Sequence, residues 1–284
     1  MSTQKRVYSV EFFPPKDEAG AERLAKARKR LGALNPEFYS VTFGAGGSTR
    51  DRTLETVKDI IDHDGIPAAP HVSCISSSKY ELRDLLSTYR DIGVERIVAL
   101  RGDLPSGTSR ASGDFRYASE LVEFVRAEFG NQFKIEVAAY PEFHPQAPNA
   151  EKDLENFKTK VDAGADAAIT QYFYNVDAYV AFMERVQKMG IDIPIIAGIM
   201  PITNYTQIVR FSEMCGAEIP RYIRKRMEAY GDDKESIRKL GIELATRLTD
   251  DLLAKGAPGI HFYSMNQAGP TEQIWKALDL NNRK

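Results

Sequence analysis

Short apolar runs alternate with longer amphipathic stretches along the whole chain. Eight runs rich in Val, Ile, Tyr and Phe, each bounded by Gly, Pro or Asp, predict strands. They are Val7–Phe13, Phe38–Phe43, Ala68–Cys74, Arg96–Gly102, Lys134–Tyr140, Ala167–Phe173, Pro194–Met200 and Gly259–Met265. Most are nearly continuous in apolar character, the pattern of parallel strands covered by helices. Between them apolar residues recur at helical spacing: Leu24, Ala27, Leu31 and Leu34; Leu82, Leu85, Leu86, Tyr89 and Ile92; Leu154, Phe157 and Val161. Thr49 or Asp51 predicts one helix start, and Gly93, Gly164 and Gly190 predict three ends.

Successive strand starts lie 31, 30, 28, 38, 33, 27 and 65 residues apart. The first six gaps suit single βα units. The last has room for a helix after Asn204 and two more, near Pro220–Tyr230 and Asp233–Lys255. Eight such units predict an α/β fold, a (β/α)₈ TIM barrel in one domain over residues 1–284, with a helical insertion about 219–256 before the last strand. A doubly wound sheet is the alternative.

Composition narrows the function. Of 284 residues, 43% are hydrophobic and 27% charged, which is ordinary for a folded globular chain. The formal net charge of −2 argues against nucleic acid or an anionic membrane as a partner held by bulk charge. The longest apolar run, Ile193 to Ile202, is too short to span a bilayer, and Val7–Phe13 is too short and too charged for a signal peptide. Cys74 and Cys215 form no disulfide framework, so a reducing cytoplasm is expected.

A barrel places its chemistry at the C-terminal ends of its strands. Glu11 stands there among Phe12, Phe13 and two prolines. Burial beside those rings predicts a raised carboxyl pKa suited to a general acid, and a structural pair with a barrel Lys or Arg is the alternative. In Arg101-Gly102-Asp103 the glycine permits close approach to a ligand and the aspartate could tune an electron-poor ring; a local salt bridge is the other reading. Gly44, Gly46 and Gly47 precede a helix, but Thr49 stands where a dinucleotide fingerprint needs its last glycine, so a tight turn is preferred over a phosphate loop.

His71 and His144 end two strands without a third ligand at metal spacing, so polar-pocket roles are expected and no metal. His63 and His261 read as structural, Cys74 as a buried filler, and Ser73 with Ser76 to Ser78 as a turn and helix cap. Tyr117, Tyr140, Phe173, Phe211 and Tyr263 put aromatic area near the same end. They suit a flat ligand such as a flavin or pterin, or simply the core.

Seven motifs in order carry a resemblance: Val10-Glu-Phe-Phe-Pro-Pro-Lys16, Ser40 to Thr53, Ala99-Leu-Arg-Gly-Asp-Leu-Pro105, Ala138-Ala-Tyr-Pro-Glu-Phe-His-Pro145, Lys160-Val-Asp-Ala-Gly-Ala165, Ile169-Thr-Gln-Tyr-Phe173 and His261-Phe-Tyr-Ser-Met-Asn266. Together they resemble the 5,10-methylenetetrahydrofolate reductase family in its bacterial, single-domain form. The resemblance implies FAD as cofactor and NADH (or NADPH) as hydride donor. It also implies ping-pong reduction of methylenetetrahydrofolate to 5-methyltetrahydrofolate for methionine synthesis, in a homo-oligomer. By resemblance Glu11 is the general acid and Asp103 sits between flavin and folate. Thr42, Phe43, His71, Arg101, Gly102, Tyr117, Ala118, Tyr140, His144, Asp153 and Lys160 match flavin-contacting positions. Thr42, Gln171, Gln207 and Phe211 match substrate-contacting ones, as does Gln267, where the family usually carries arginine. Two alternatives are another barrel flavoenzyme, such as a proline dehydrogenase relative, and a non-catalytic binding subunit that needs a redox partner.

Overall fold

A computed structural model describes residues 5–43, 47–103 and 113–283, with backbone only for 47–49. Eight parallel strands close into a barrel in chain order: β1 (Val7–Phe12), β2 (Phe38–Val41), β3 (Ala68–Ser73), β4 (Arg96–Leu100), β5 (Lys134–Ala139), β6 (Ala167–Thr170), β7 (Ile195–Ile199) and β8 (Gly259–Tyr263). Closure, with β1 paired to β8 from Val7↔Gly259 to Glu11↔Tyr263, removes the doubly wound alternative. Seven of the eight strands start at the expected residue and β7 starts one residue later, at Ile195; every strand ends one to three residues earlier than its apolar run. The surplus residues sit past the strand ends, where the barrel opens, and Thr42, Cys74 and Gln171 among them still donate main-chain N–H groups to the neighbouring segment.

The first six helices follow the first six strands: α1 (Glu18–Gly32), α2 (Gly47–Asp64), α3 (Lys79–Asp91), α4 (Ala118–Phe129), α5 (Ala150–Asp162) and α6 (Val176–Lys188). Helix α2 begins at Gly47, ahead of the Thr49 or Asp51 start that polar capping chemistry suggested. Ser78 does cap α3, in a reciprocal box with Glu81. After β7 come α7 (Tyr205–Cys215), α8 (Arg221–Tyr230) and α9 (Lys234–Ala254), and α10 (Ala268–Ala277) follows β8. Helix α9 packs against α6, α10 and β7. It presses so closely on the β7–α7 link that a β-carbon on Gly241 would lie 1.8 Å from the Ile202 carbonyl oxygen.

Two kinds of core result. The large one lies between the strands and the helices, where Leu24, Leu31, Leu82, Leu86, Tyr89, Leu154 and Phe157 bury the faces read from their spacing. Inside the barrel a small apolar set, Phe38, Ala69, Val98, Ile169 and Ile196, fills the floor. An ion pair shares that floor. Arg96 meets the 1%-exposed Glu136, and its guanidinium lies 4.2 Å from the centre of the Phe38 ring.

Candidate active site

Alternation along the strands sends every second side chain into the barrel. On β1 these include Ser9 and then Glu11. The Ser9 hydroxyl lies 2.7 Å from His261 Nδ1, and Ser40 on β2 lies 3.4 Å from Nε2 of the same ring. His261 Nε2 is 3.5 Å from Glu11 Oε2, and His71 Nε2 on β3 is 3.3 Å from it. The His71 contact is close enough for charge attraction but is not aligned as a hydrogen bond, which leaves buried Nε2 without a hydrogen-bond partner among the described residues.

This arrangement corrects the expectation for Glu11. Burial alone would push its carboxyl up, but the imidazoles of His261 and His71 outweigh burial and hold it down at about 2. Its partners are histidines rather than Lys or Arg. His261, read as structural, is wholly buried yet touches the candidate acid. Its signal lay in the alternation, which turns Ser9, Ser40 and His261 to the same interior.

Glu11 opens into a cavity of about 430 Å³ at the C-terminal mouth. Thr42, His71, Tyr140, Gln171 and Phe211 share its wall, as the sequence motifs suggested. Leu100, Met200, Tyr172, Met214, Cys215 and Met265 join them, and those were not singled out. Helix α7 brings Phe211, Met214 and Cys215 to the wall. Tyr263 also lines it, with its hydroxyl donating to the Thr170 carbonyl at 2.6 Å. Gly198 makes room for that ring, since a β-carbon there would lie 2.6 Å from Tyr263 Cε2. Phe173 faces the other way. It is core, stacked on Tyr179 with centroids 5.7 Å apart.

A second group gathers at the ends of β4 and β5. The Tyr140 ring meets the His144 ring edge-on at 4.7 Å, and the His144 main-chain N–H donates to Asp153 Oδ2 at 3.1 Å. Lys160 donates to the carbonyl of Ala138, a cavity residue, at 2.5 Å. Burial lowers the Lys160 ammonium to about 8 against the attraction of Asp153. Burial also lowers His144, helped by Arg101 and Lys160, and raises Asp153. Tyr140 is pushed up to about 12 by burial and by the carboxylates of Asp153 and Asp103.

Arg101 donates to Gln146 Oε1 at 2.6 Å rather than pairing with Asp103. Gly102, at φ +83°, approaches Ser73 so closely that a β-carbon would lie 1.8 Å from its hydroxyl oxygen. A close approach to β3 therefore already requires glycine here. Asp103 is exposed at the end of the described β4 segment.

The remaining candidates stand off the cavity. Phe43 packs on the outer core, Tyr117 is 61% exposed as the N-cap of α4, and Ala118 is the first residue of that helix. Gln207 is exposed on the first turn of α7, and Gln267 is exposed as the N-cap of α10. Gly44, Gly46, Leu104, Pro105 and the Thr49 side chain lie outside the described residues. Among the described residues no cluster of three or more metal-capable side chains occurs, and no helix is long and apolar enough to cross a membrane.

Cys74 is buried under Tyr117 and Arg101, and burial pushes its thiol up to about 12. A thiol-exchange reagent on the native protein is therefore expected to label Cys215 alone. Cys74 should react only after unfolding, which thiol counting with and without denaturant checks.

Fold and cavity together define a (β/α)₈ barrel enzyme with a part-buried carboxylate at its C-terminal mouth. The family model for methylenetetrahydrofolate reductase matches residues 1–279, and the chain belongs to that family of oxidoreductases. The 5,10-methylenetetrahydrofolate reductase of Escherichia coli (strain K12) is 42% identical over 270 residues, covering 95% of this chain and 90% of that protein. The probable methylenetetrahydrofolate reductase (NADH) of Oryza sativa subsp. japonica is 38% identical over 274 residues, 92% of this chain and 46% of that protein. Among solved structures, a Clostridium thermocellum protein that binds two copies of 5-methyl-5,6,7,8-tetrahydrofolic acid has a TM-score of 0.66 at 17% identity, covering 98% of this chain and 96% of that one. That likeness shows the fold alone.

Proposed function

We propose that this chain, as a single catalytic domain, reduces 5,10-methylenetetrahydrofolate to 5-methyltetrahydrofolate with FAD at the barrel mouth and NADH as donor, the two substrates using one site in turn. The carrying observation is Glu11, a carboxylate inside the barrel at an apolar, aromatic-walled cavity. A flavin held at this mouth would supply hydride transfer between the nicotinamide and the folate methylene carbon.

The residues present fit such a group. The cavity suits a flat ring system, and the unpartnered His71 Nε2 is a polar atom that a heterocycle's edge would satisfy. Lys160, half-buried with a carbonyl as hydrogen-bond partner, suits an anion such as a diphosphate, and Lys160 and Arg101 both act electrostatically on His144. Thr42 and Gln171 would orient the pterin, and Phe211 would stack on whichever substrate is present. Glu11 delivers the proton that opens the folate imidazolidine ring to an iminium. Asp103 supplies negative charge that stabilises this cation.

NADH is favoured because the rice and maize relatives are named as NADH enzymes. A homo-oligomer in the cytoplasm completes the reading, and a reducing compartment suits the two free thiols. An anaerobic absorbance titration tests it. A flavin band near about 450 nm should bleach with NADH and return with methylenetetrahydrofolate. No band after FAD addition, or no return with the folate, would overturn it.

Gln267 gives a further expected result. Gln267→Arg should lower the KM for a folate with its anionic glutamate tail about twofold to fivefold at unchanged kcat, the scale of an exposed charge pair. Steady-state kinetics with folates of different tail length check this.

A further inference from the structure

The ladder between β1 and β8 stops at Glu11↔Tyr263. Past it, the first strand has one more main-chain donor to offer, the Phe13 N–H, before Pro14 and Pro15, which have none. The last strand has turned away: Met265 and Asn266 both lie in the left-handed region, at φ 52° and 54°. That conformation disfavours residues with a β-carbon, and asparagine tolerates it best among them.

Side chains take over where the main chain leaves. The Ser264 hydroxyl donates to the Glu11 carbonyl at 2.6 Å. The Asn266 carboxamide accepts from the Phe13 N–H at 3.0 Å and donates to the Phe13 carbonyl at 2.9 Å. The Asn266 N–H in turn donates to the Ser264 hydroxyl at 3.2 Å. Residues 11 and 13 are alternate positions of one strand, so these bonds reach the main-chain groups a longer ladder would use. Phe13 and Met265 both line the cavity beside Glu11.

We propose that Asn266, supported by Ser264, is a positioning residue for folate reduction: its carboxamide continues the β1–β8 ladder and holds Glu11 and the Phe13 wall in register with the last strand. The proposal rests on the reading of Glu11 as the acid. It also assigns the left-handed turn a purpose. The turn aims a side-chain amide, rather than a peptide group, at the first strand.

The FAD-loaded protein tests it through both half-reactions, followed separately by stopped-flow absorbance. Asn266→Ala loses the carboxamide. Asn266→Gly loses it too but adopts the left-handed backbone freely. Both variants should slow the folate half-reaction about 10- to 100-fold, the scale of a slightly misplaced catalytic group. Flavin content, melting temperature and reduction by NADH should stay near wild type. Asn266→Asp keeps the acceptor for the Phe13 N–H and loses the donor, so it should fall between. A wild-type folate rate in Asn266→Gly would overturn the proposal, because the residue would then serve only its backbone conformation. So would an equal loss of both half-reactions with a lower melting temperature. Glu11→Gln, run in parallel, separates the two readings. If it keeps the folate rate, the assignment of the acid itself falls. If it loses that rate while the Asn266 variants do not, only the clamp falls.

Discussion

Glu11→Gln is expected to remove the folate half-reaction by about 10²- to 10⁴-fold, the usual contribution of a positioned general acid. Reduction of the flavin by NADH, which needs no proton from Glu11, should stay close to wild type. Stopped-flow measurement of each half-reaction checks both statements. Gln matches Glu in shape but has no exchangeable acid proton, so the wall stays intact and only the proton transfer is lost. In the open cavity His261 and His71 keep the carboxyl at about 2, well below its ordinary 4.5. For Glu11 to act as an acid, a substrate covering the cavity would have to leave burial in place and draw the histidines' attraction away, which would move the carboxyl up. The same depressed pKa has a stability consequence of definite sign. Glu11's contribution is complete above about pH 4.5 and drains away as the pH falls towards 2, as linkage requires. Glu11→Gln should therefore flatten that part of the acid-unfolding curve.

Arg96→Met is expected to cost about 3–5 kcal/mol of stability, because it strands a buried charge. Glu136 is 1% exposed and its second carboxylate oxygen has no hydrogen-bond partner among the described residues, so Arg96 is the group that holds its charge. Phe38, Val98 and Ile169 belong to the apolar floor that the pair shares. Adding Glu136→Gln to the same variant removes the stranded charge and should recover most of the loss, since the intact pair contributes little net stability over neutral residues. Urea unfolding of the two variants and wild type decides it. A loss under about 1 kcal/mol in Arg96→Met would mean the floor is wetter than its packing implies.

The barrel was legible because its strands announce themselves by apolar runs, with a breaker close before every one but the first. Their ends were not, and the reason is physical. Phe13, Tyr140 and Met265 extend the runs because they wall the cavity, and Phe173 because it packs on Tyr179, so hydrophobicity continues after the ladder has stopped. Residue chemistry found Glu11 and His71, the family resemblance added Thr42 and Gln171, and the structure brings all four to one cavity. The direction of the Glu11 shift needed something no local window contains: His261, 250 positions away in sequence, standing 3.5 Å from it. Phe12 and Phe13 suggested an apolar setting, yet the nearest ionisable neighbours come from β3 and β8. The polar lining of Ser9, Ser40 and His261 follows from period-two alternation once the strand registers are known, and a single sequence leaves those registers open.

Closure of the barrel between its first and last strands also fixes when the acid can exist during synthesis. Glu11 is among the earliest residues made, while His261, Ser264 and Asn266 are among the latest. Until β8 has left the ribosome and docked against β1, a nascent chain carries Glu11 without the His261 imidazole and without the side-chain bonds at its strand end. Every partly made or C-terminally clipped copy that lacks β8 then has Glu11 but not the β8 side of its surroundings. Reduction of folate thus reports, in a single signal, that the whole ring of eight strands has been completed.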